Sequence, residues 1–336
     1  MTYQRIQIPR FYVDTPNWLV SRGIATSEFA CKTGSDLIDH DGTFVDEELF
    51  DMNPSNQVVF STSDSSATRA DHVMFVIDKQ ATDIPTNFIA ILNHNMASAD
   101  AKFLGATSSS DITSVNPTAE TSTTVLNGTE SSDIFTPVTN GDSIITFDTA
   151  DSNRYIAVHF EGASSNTFSS SNDLKIGCIL VGEYFDMPLA PDLQVTRSVS
   201  FGNDIMETPA GQRFSQARWL EGNQSSTTQS GQPFRNATSP TSQRFGGRTA
   251  YNMNFSFLDD DDLTTSNIAT DSATDSFYNM VWNRTGGSHI PFIFTPDSTS
   301  TTAGDYIFSR FAQNEWSSQQ VASRVFSTSL NIIEEF

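Results

Sequence analysis

The chain is a succession of short apolar, β-branched runs separated by clusters of Ser, Thr, Asn, Asp and Gly. Runs of about four to eight such residues are typical of β-strands, and the clusters between them favour turns. The first half has predicted strands at 58–61, 72–77, 87–92, 143–147, 155–160 and 175–181, with one more near 123–126 inside the polar stretch 105–142. Several strands with long polar loops and few helical periodicities predict a mainly β chain that begins with a β-sandwich.

The segment 176–191, which reads IGCILVGEYFDMPLAP, predicts a junction between two units. Its apolar beginning is typical of a strand buried on both faces. Pro188 and Pro191 follow, and proline favours an extended connection because it cannot donate to a sheet ladder. A length of 336 residues suits about two domains. We therefore predict one domain over 1–187, a second over 188–336, and a stiff hinge at Pro188 and Pro191.

The second half combines strands with one main helix. The acidic run 259–262 favours a helix start, because carboxylates complement the partial positive charge of a helix N-terminus. A longer helix is predicted over roughly 271–284, ended by Gly286 and Gly287. The predicted strands are 192–201, 249–258, 289–294, 306–311 and 322–333. This order predicts an α+β domain, a sheet or split barrel with a helix packed against it.

The charge of the chain restricts its partners. It carries 40 Asp and Glu against 18 Lys and Arg, a formal net charge of −22. Such a chain repels phosphate backbones, so a direct, sequence-specific nucleic-acid interaction is not expected. No apolar stretch approaches the length of a membrane span, and no basic leader precedes a long apolar run, so neither a span nor a signal peptide is expected. Cys31 and Cys178 are predicted to be buried free thiols.

Motifs that carry catalysis or bind a cofactor are not found. The sequence lacks G-x-S-x-G, G-x-G-x-x-G and Walker-type loops, and its five histidines lack metal-ligand spacing. We therefore predict no catalytic, cofactor-binding or metal-binding residue, and no enzyme activity. Composition alone leaves a Ser-His-Asp triad open. The acidic run 259–262 lacks the spacing of a Ca²⁺ loop, and a solvated helix start is the preferred interpretation.

A long polar loop over 221–248 holds Arg235, Arg244 and Arg248. Long loops inside compact domains are usually functional or disordered. In so acidic a chain, three arginines in one loop suit docking onto an acidic neighbouring subunit. A solvated loop explains the same composition, and the two interpretations stay open.

Two sequence blocks in the first half resemble galactose-binding-like (discoidin-type) β-sandwich modules. The first is the turn Phe50-Asp51-Met52-Asn53-Pro54-Ser55. The second is the strand Ile89-Ala90-Ile91-Leu92-Asn93-His94-Asn95, followed by Ala97-Ser98-Ala99. The closing runs YIAVHF and KIGCILVGEYF fit the same pattern. The resemblance covers roughly 1–187 and implies a galactose-binding-like jelly-roll sandwich.

The whole arrangement resembles tail-tip proteins of tailed bacteriophages, of the distal tail or minor tail type. The similarity lies in GEYFxxP at the junction, in FxFLDxDD before a helix, and in PFIFTPD. It implies that 188–336 is a split barrel forming a ring of identical copies, expected to be a hexamer, between the tail tube and the tip or fibre proteins. The implied role is a virion structural protein, made in the host cytoplasm and located in the phage tail, with tube, hub and fibre proteins as partners.

Two other functions remain open. A carbohydrate- or receptor-binding module would use the sandwich to bind a host surface glycan. A hydrolase of surface polysaccharide would need paired carboxylates in a cleft, and no spacing in the sequence favours it.

Overall fold

The structure is a computed structural model. It describes residues 7–22, 29–31, 46–60, 72–79, 85–97, 99–108, 122–131, 134–151, 153–162, 174–200, 204–216, 234, 247–264 and 276–335. Over these residues the chain is mainly β, as predicted, with few helices.

Strands account for most of the described chain. Those up to residue 187 are β1 (Arg10–Asp14), β2 (Phe29–Cys31), β3 (Val58–Phe60), β4 (His72–Asp78), β5 (Thr86–His94), β6 (Ala99–Ala106), β7 (Ser122–Leu126), β8 (Gly128–Ser131), β9 (Ile134–Pro137), β10 (Gly141–Asp151), β11 (Tyr155–Gly162), β12 (Leu174–Ile176) and β13 (Cys178–Asp186). Those after it are β14 (Thr196–Ser200), β15 (Asp204–Glu207), β16 (Arg213–Gln216), β17 (Arg248–Asp259), β18 (Phe292–Thr295), β19 (Ile307–Phe311), β20 (Ser318–Ala322) and β21 (Val325–Glu334).

The helical segments are short. They are α1 (Thr15–Ser21), a 3₁₀ turn (Asp46–Phe50), α2 (Asp260–Leu263), a π-helical turn (Tyr278–Trp282) that continues into α3 (Asn283–Thr285), and a 3₁₀ turn (Ala303–Asp305). The acidic run begins a helix as predicted, with Asp259 as its N-cap. The predicted longer helix ends at Gly286, whose left-handed φ of 59° closes it. Its expected start at 271–275 lies outside the described residues.

One large antiparallel sheet runs through both halves of the chain. Its eleven described strands follow the order β14-β17-β21-β19-β18-β1-β13-β5-β10-β7, with β20 also paired to β21. Strand β1 joins the halves, because Phe11 lies opposite Phe185 of β13 on one side and opposite Phe294 of β18 on the other. The sheet therefore crosses the predicted boundary between 187 and 188.

A second sheet covers one face of the first part of the large sheet. It has the described order β2-β4-β11-β6-β9-β8. Phe103 and Phe160 from this sheet share one buried cluster with Ile89, Ile145 and Val181 from the large sheet. Alternate residues of a strand point to opposite faces, so these side chains form a sandwich-like core between the two sheets.

Two further buried clusters cover the large sheet outside that core, one on each face. On the same face, Phe11 and Phe185 continue into a cluster with Met253, and Phe277 and Val281 of the helical segment cover it. On the opposite face, a third cluster contains side chains of β1, β5, β13, β18 and β19, namely Tyr12, Phe88, Leu180, Ile293 and Phe308. The central strands are thus buried on both faces, as their continuous apolar runs predict.

The predicted hinge lies beside this shared sheet. Met187 is buried and its N–H donates to the carbonyl of Pro9 over 3.0 Å, so the chain is held to the N-terminal segment just before the prolines. Pro188 is exposed and Pro191 is buried. The domain boundary and the hinge stay predictions, and the strand pairing of β1 is a second connection across the same junction.

Candidate functional site

The predicted contact arginines are only partly described. Arg235 and Arg244 lie outside the described residues. Arg248, predicted as the end of the loop 221–248, is the exposed first residue of β17 and lies opposite Ser200 of β14. The N–H of the next residue, Thr249, donates to the buried carboxylate of Glu334 over 2.6 Å. Arg248 therefore lies beside the end of the edge strand β14.

Two open strand edges lie on opposite sides of the β17–β21 pair of the large sheet. Strand β14 lies beside 248–252 of β17, and β20 lies beside 325–328 of β21, so the two edges are staggered along the strand direction. All five residues of β14 and all five of β20 are exposed. In the part of the chain that the structure describes, β14 pairs only with β17 and β20 only with β21. Each edge strand therefore has one side without a described strand partner, and the two open sides face away from each other.

A separate hairpin follows the β14 edge. Strands β15 and β16 pair with each other, Met206 opposite Phe214 and Glu207 opposite Arg213. Ile205, Met206 and Phe214 are 59%, 72% and 58% exposed. An isolated two-stranded hairpin is only marginally stable in water, so this one is suited to gaining a partner. We call it the β15–β16 arm.

The structure brings a histidine and a serine together near the ends of β5 and β10. His94 Nε2 and Ser143 Oγ are 2.7 Å apart. The N–H of Met96 donates to His94 Nδ1 over 3.1 Å, so Nε2 carries the hydrogen and donates it to the serine. A general base would have to accept the serine proton at that nitrogen.

Burial also separates this pair from substrates. His94 is 2% exposed and Ser143 is completely buried. Burial lowers the pKa of His94 to about 3, which makes it a very weak base. The pair therefore supplies a structural hydrogen bond and lacks the base and accessible nucleophile of a Ser-His-Asp triad.

A neighbouring carboxylate fastens the polar loop to the first half. The N–H of Phe234 donates to one oxygen of Asp142 over 2.5 Å, and the N–H of Asn93 donates to the other over 2.8 Å. The Phe234 ring is 3% exposed and lies 5.7 Å from the ring of Tyr306. Burial raises the pKa of Asp142 to about 6. Sequence reasoning missed this anchor, although Phe234 is a large apolar residue in a polar stretch.

A buried ion pair ties the helical segment to the first half. Arg284 of α3 and Glu183 of β13 are 2.6 Å apart, and both side chains are less than a tenth exposed. The guanidinium also lies 5.3 Å from the ring centre of Trp18 in α1. Removing one of two buried, oppositely charged side chains is costly in a low-dielectric interior. This pair is structural.

Metal ligands, membrane-spanning helices and cysteines are the remaining candidate features. The described ranges contain no group of three or more His, Cys, Asp or Glu side chains arranged to hold a metal ion. No described helix combines the length and the apolar character needed to cross a membrane. Cys178 is a buried free thiol, as predicted, and burial raises its pKa well above the ordinary value. The side chain of Cys31 lies outside the described part of the structure.

Comparison with family models, with curated protein sequences and with solved structures finds no match to this chain.

Proposed function

We propose that the chain is a structural protein of a bacteriophage tail tip or baseplate, in which identical copies close into a ring around the tail axis. The observation that carries the proposal is the pair of open edges, β14 and β20, on opposite sides of the β17–β21 strand pair. An exposed edge strand presents unpaired N–H and C=O groups that pair readily with another chain. The sequence resemblance to tail-tip proteins gives the biological setting.

The two edges suit a repeating contact between copies. Strands alternate in direction through β14, β17, β21 and β20, because every pair is antiparallel. Strand β20 of one copy and β14 of the next would therefore also meet antiparallel. Because β14 and β20 flank different halves of the β17–β21 pair, successive copies would be displaced along the strand direction. A contact between two different surfaces closes into a ring when its rotation fits, and we expect a hexamer.

The proposal includes a specific fold for each half of the chain. Residues 1–187 would form the galactose-binding-like sandwich on the outside of the ring, and 188–336 the split barrel that builds it. Arg235, Arg244 and Arg248 would contact the acidic neighbouring copy. The shared sheet around β1 would keep the sandwich and the ring-forming section in one orientation.

Charged substitutions in β14 test the edge contact. Thr196→Lys with Ser198→Lys places two lysines on the edge, which natural proteins use to block strand addition. We expect this variant to stay monomeric where the unmodified protein forms a closed oligomer, as measured by native mass spectrometry. The matched control is Thr129→Lys with Ser131→Lys on the exposed strand β8 of the other sheet. It should assemble normally.

Location in the particle tests the biological setting. Antibodies against the chain should label the tip of intact tailed particles, and mass spectrometry of purified tails should detect the chain. Its absence from purified tails would contradict the proposal, whatever the oligomeric state of the isolated protein.

A further inference from the structure

We propose that Asn140 is a site of spontaneous deamidation, whereas the fold protects Asn127, the other asparagine that is followed by glycine. The chain has two such pairs, Asn127-Gly128 and Asn140-Gly141. The first lies between β7 and β8, and the second between β9 and β10. The reaction uses only atoms of the chain and water, so it does not depend on the proposed ring.

Deamidation at an Asn-Gly pair is an attack of the backbone on the side chain. The glycine nitrogen bonds to the asparagine Cγ, the Cγ–Nδ2 bond breaks, and the side-chain nitrogen leaves as ammonia. Water then opens the succinimide ring, which gives aspartate by attack at Cγ or isoaspartate by attack at the main-chain carbonyl carbon. Glycine favours ring closure because it has no Cβ and wide backbone freedom. The asparagine side chain must be free to turn toward the glycine nitrogen.

The Asn127 side chain is held against the turn 138–140 and the start of β10. Its Nδ2 donates to the carbonyls of Thr139 and Asp142 over 3.1 and 3.2 Å. Its Oδ1 accepts from the N–H and the hydroxyl of Thr139 over 3.2 and 2.7 Å. Both amide hydrogens and both acceptor positions of the side chain are therefore used. Turning Cγ toward the nitrogen of Gly128 would break these bonds, so the native fold opposes the reaction.

The Asn140 side chain is much less restrained. Asn140 is exposed, and among the described residues its side chain has one hydrogen bond, in which Oδ1 accepts from the N–H of Ala97 over 3.1 Å. The nitrogen that must leave has no described hydrogen-bond partner. The N–H of Ala97 contacts the oxygen that gains negative charge when Cγ is attacked, and a backbone donor at such an oxygen stabilises the transition state.

The attacking nitrogen belongs to the first residue of a strand. Gly141 begins β10 and has a φ of 145°, a conformation that residues with a side chain rarely adopt. The pairing of β10 with β5 shifts register between Gly141 and Ser143. The nitrogen of Gly141 therefore lies at the end of a regular ladder, and chain segments at such ends open at the lowest cost in free energy.

The modification would lie next to the anchor of the polar loop. Both products add a negative charge at position 140, and isoaspartate also lengthens the main chain, which then runs through the former side chain. Two residues later, the Asp142 carboxylate accepts from the N–H groups of Asn93 and Phe234. Deamidation therefore changes the backbone beside the contact that fastens Phe234.

Peptide mapping of aged protein tests the inference. The purified full chain is incubated at mildly alkaline pH, which favours deprotonation of the attacking nitrogen, and mass spectrometry follows the two Asn-Gly pairs separately. We expect aspartate and isoaspartate to form at Asn140 at least about tenfold faster than at Asn127, because losing even two hydrogen bonds slows a reaction by about that factor. Electron-transfer fragmentation distinguishes aspartate from isoaspartate.

The unfolded chain is the internal control. In guanidinium chloride both asparagines lose their contacts in the fold, so their two rates should become similar. Thr139→Val removes the hydroxyl that donates to Asn127 and should raise the rate at Asn127 several-fold in the folded protein. Asn140→Gln should form product at 140 far more slowly, because the longer side chain closes a less favourable ring. Thermal melting checks that each variant is folded.

Three results would contradict the inference. Equal rates at Asn127 and Asn140 in the folded protein would show that the fold does not distinguish them. An Asn140 amide that persists in the folded protein, while the unfolded chain reacts, would show that Gly141 cannot reach it. An unchanged rate at Asn127 in Thr139→Val would mean that its hydrogen bonds do not protect it.

Discussion

Replacing Asp142 by asparagine should remove a defined part of the pH dependence of stability. The Asp142 carboxylate is 6% exposed, and burial raises its pKa from an ordinary 3.8 to about 6. One pKa unit corresponds to about 1.4 kcal/mol, so the raised pKa amounts to about 3 kcal/mol in the free energy of unfolding.

The sign follows from proton binding. Between about pH 6 and pH 3.8 the folded protein holds a proton on Asp142 and the unfolded chain does not. This group therefore stabilises the fold at low pH, and the contribution is lost as pH rises through about 6. The asparagine of the variant does not titrate, so the stability difference between the unmodified protein and the variant should grow by about 2.4 kcal/mol in favour of the unmodified protein from pH 7 to pH 4.

Urea unfolding at several pH values between 7 and 4 measures this difference. The lowered pKa of His94 has the opposite effect, because it makes the free energy of unfolding smaller as pH falls. His94 is present in both proteins, so its effect largely cancels in the difference between them. Thr146→Val, on the same strand β10, removes a hydroxyl without removing a titrating group and is the control. An Asp142→Asn difference that stays constant from pH 7 to pH 4 would refute the reasoning.

Three further substitutions probe the junction and the loop anchor. Gly182→Ala should destabilise by at least about 1–3 kcal/mol, since a Cβ there would lie 2.1 Å from the carbonyl oxygen of Val13, and urea unfolding measures it. Arg284→Met should destabilise the fold by about 3–5 kcal/mol in thermal or urea unfolding, because it removes the buried cation that lies 2.6 Å from the Glu183 carboxylate. Phe234→Ala should release the loop anchor, seen as faster limited proteolysis around residue 234.

Each of these expectations has a contradicting result. An unchanged free energy of urea unfolding for Gly182→Ala would mean that β1 and β13 separate easily at this position. Adding Glu183→Gln to Arg284→Met should recover part of the loss, and no recovery would argue against the buried charge of Glu183 as its cause. Proteolysis of Phe234→Ala at the original rate would show that Phe234 does not hold the loop.

The sequence predicts local strands well where apolar residues fill both faces. It predicts β5 over 87–92, and the strand spans Thr86–His94, because Ile89 and Ile91 enter one core while Phe88 and Leu92 enter another. The pattern at 175–181 predicts one strand, but that run is divided at Gly177. A Cβ at that position would lie 2.2 Å from the carbonyl oxygen of Pro54, so only glycine permits this close approach.

Long-range pairing is what the sequence does not reveal. Strand β1 is not among the predicted strands, because its five residues become central only through pairing with β13 and β18, both distant in the chain. The pattern at 322–333 predicts one strand, yet Ala322 ends β20 and β21 starts at Val325, with Arg324 in a left-handed turn between them. Recognising β20 as an open edge therefore required the structure.

In the candidate site too, the sequence indicates single residues but not the contacts that the fold gives them. Arg248 could be selected from charge alone, since arginines are rare in this chain, but its place at the end of an open edge depends on the pairing of β17 with β14. The buried carboxylate of Asp142 carries no sequence signal, because its partners Asn93 and Phe234 are brought to it by the fold.

The mass of the purified full chain over a wide range of protein concentration decides whether β14 and β20 build a ring. Native mass spectrometry should find one closed oligomer, a hexamer of the 36.9 kDa chain, and only monomer for Thr196→Lys with Ser198→Lys. A protein that remains monomeric at every concentration, or an edge variant that assembles like the unmodified chain, would contradict the proposed assembly.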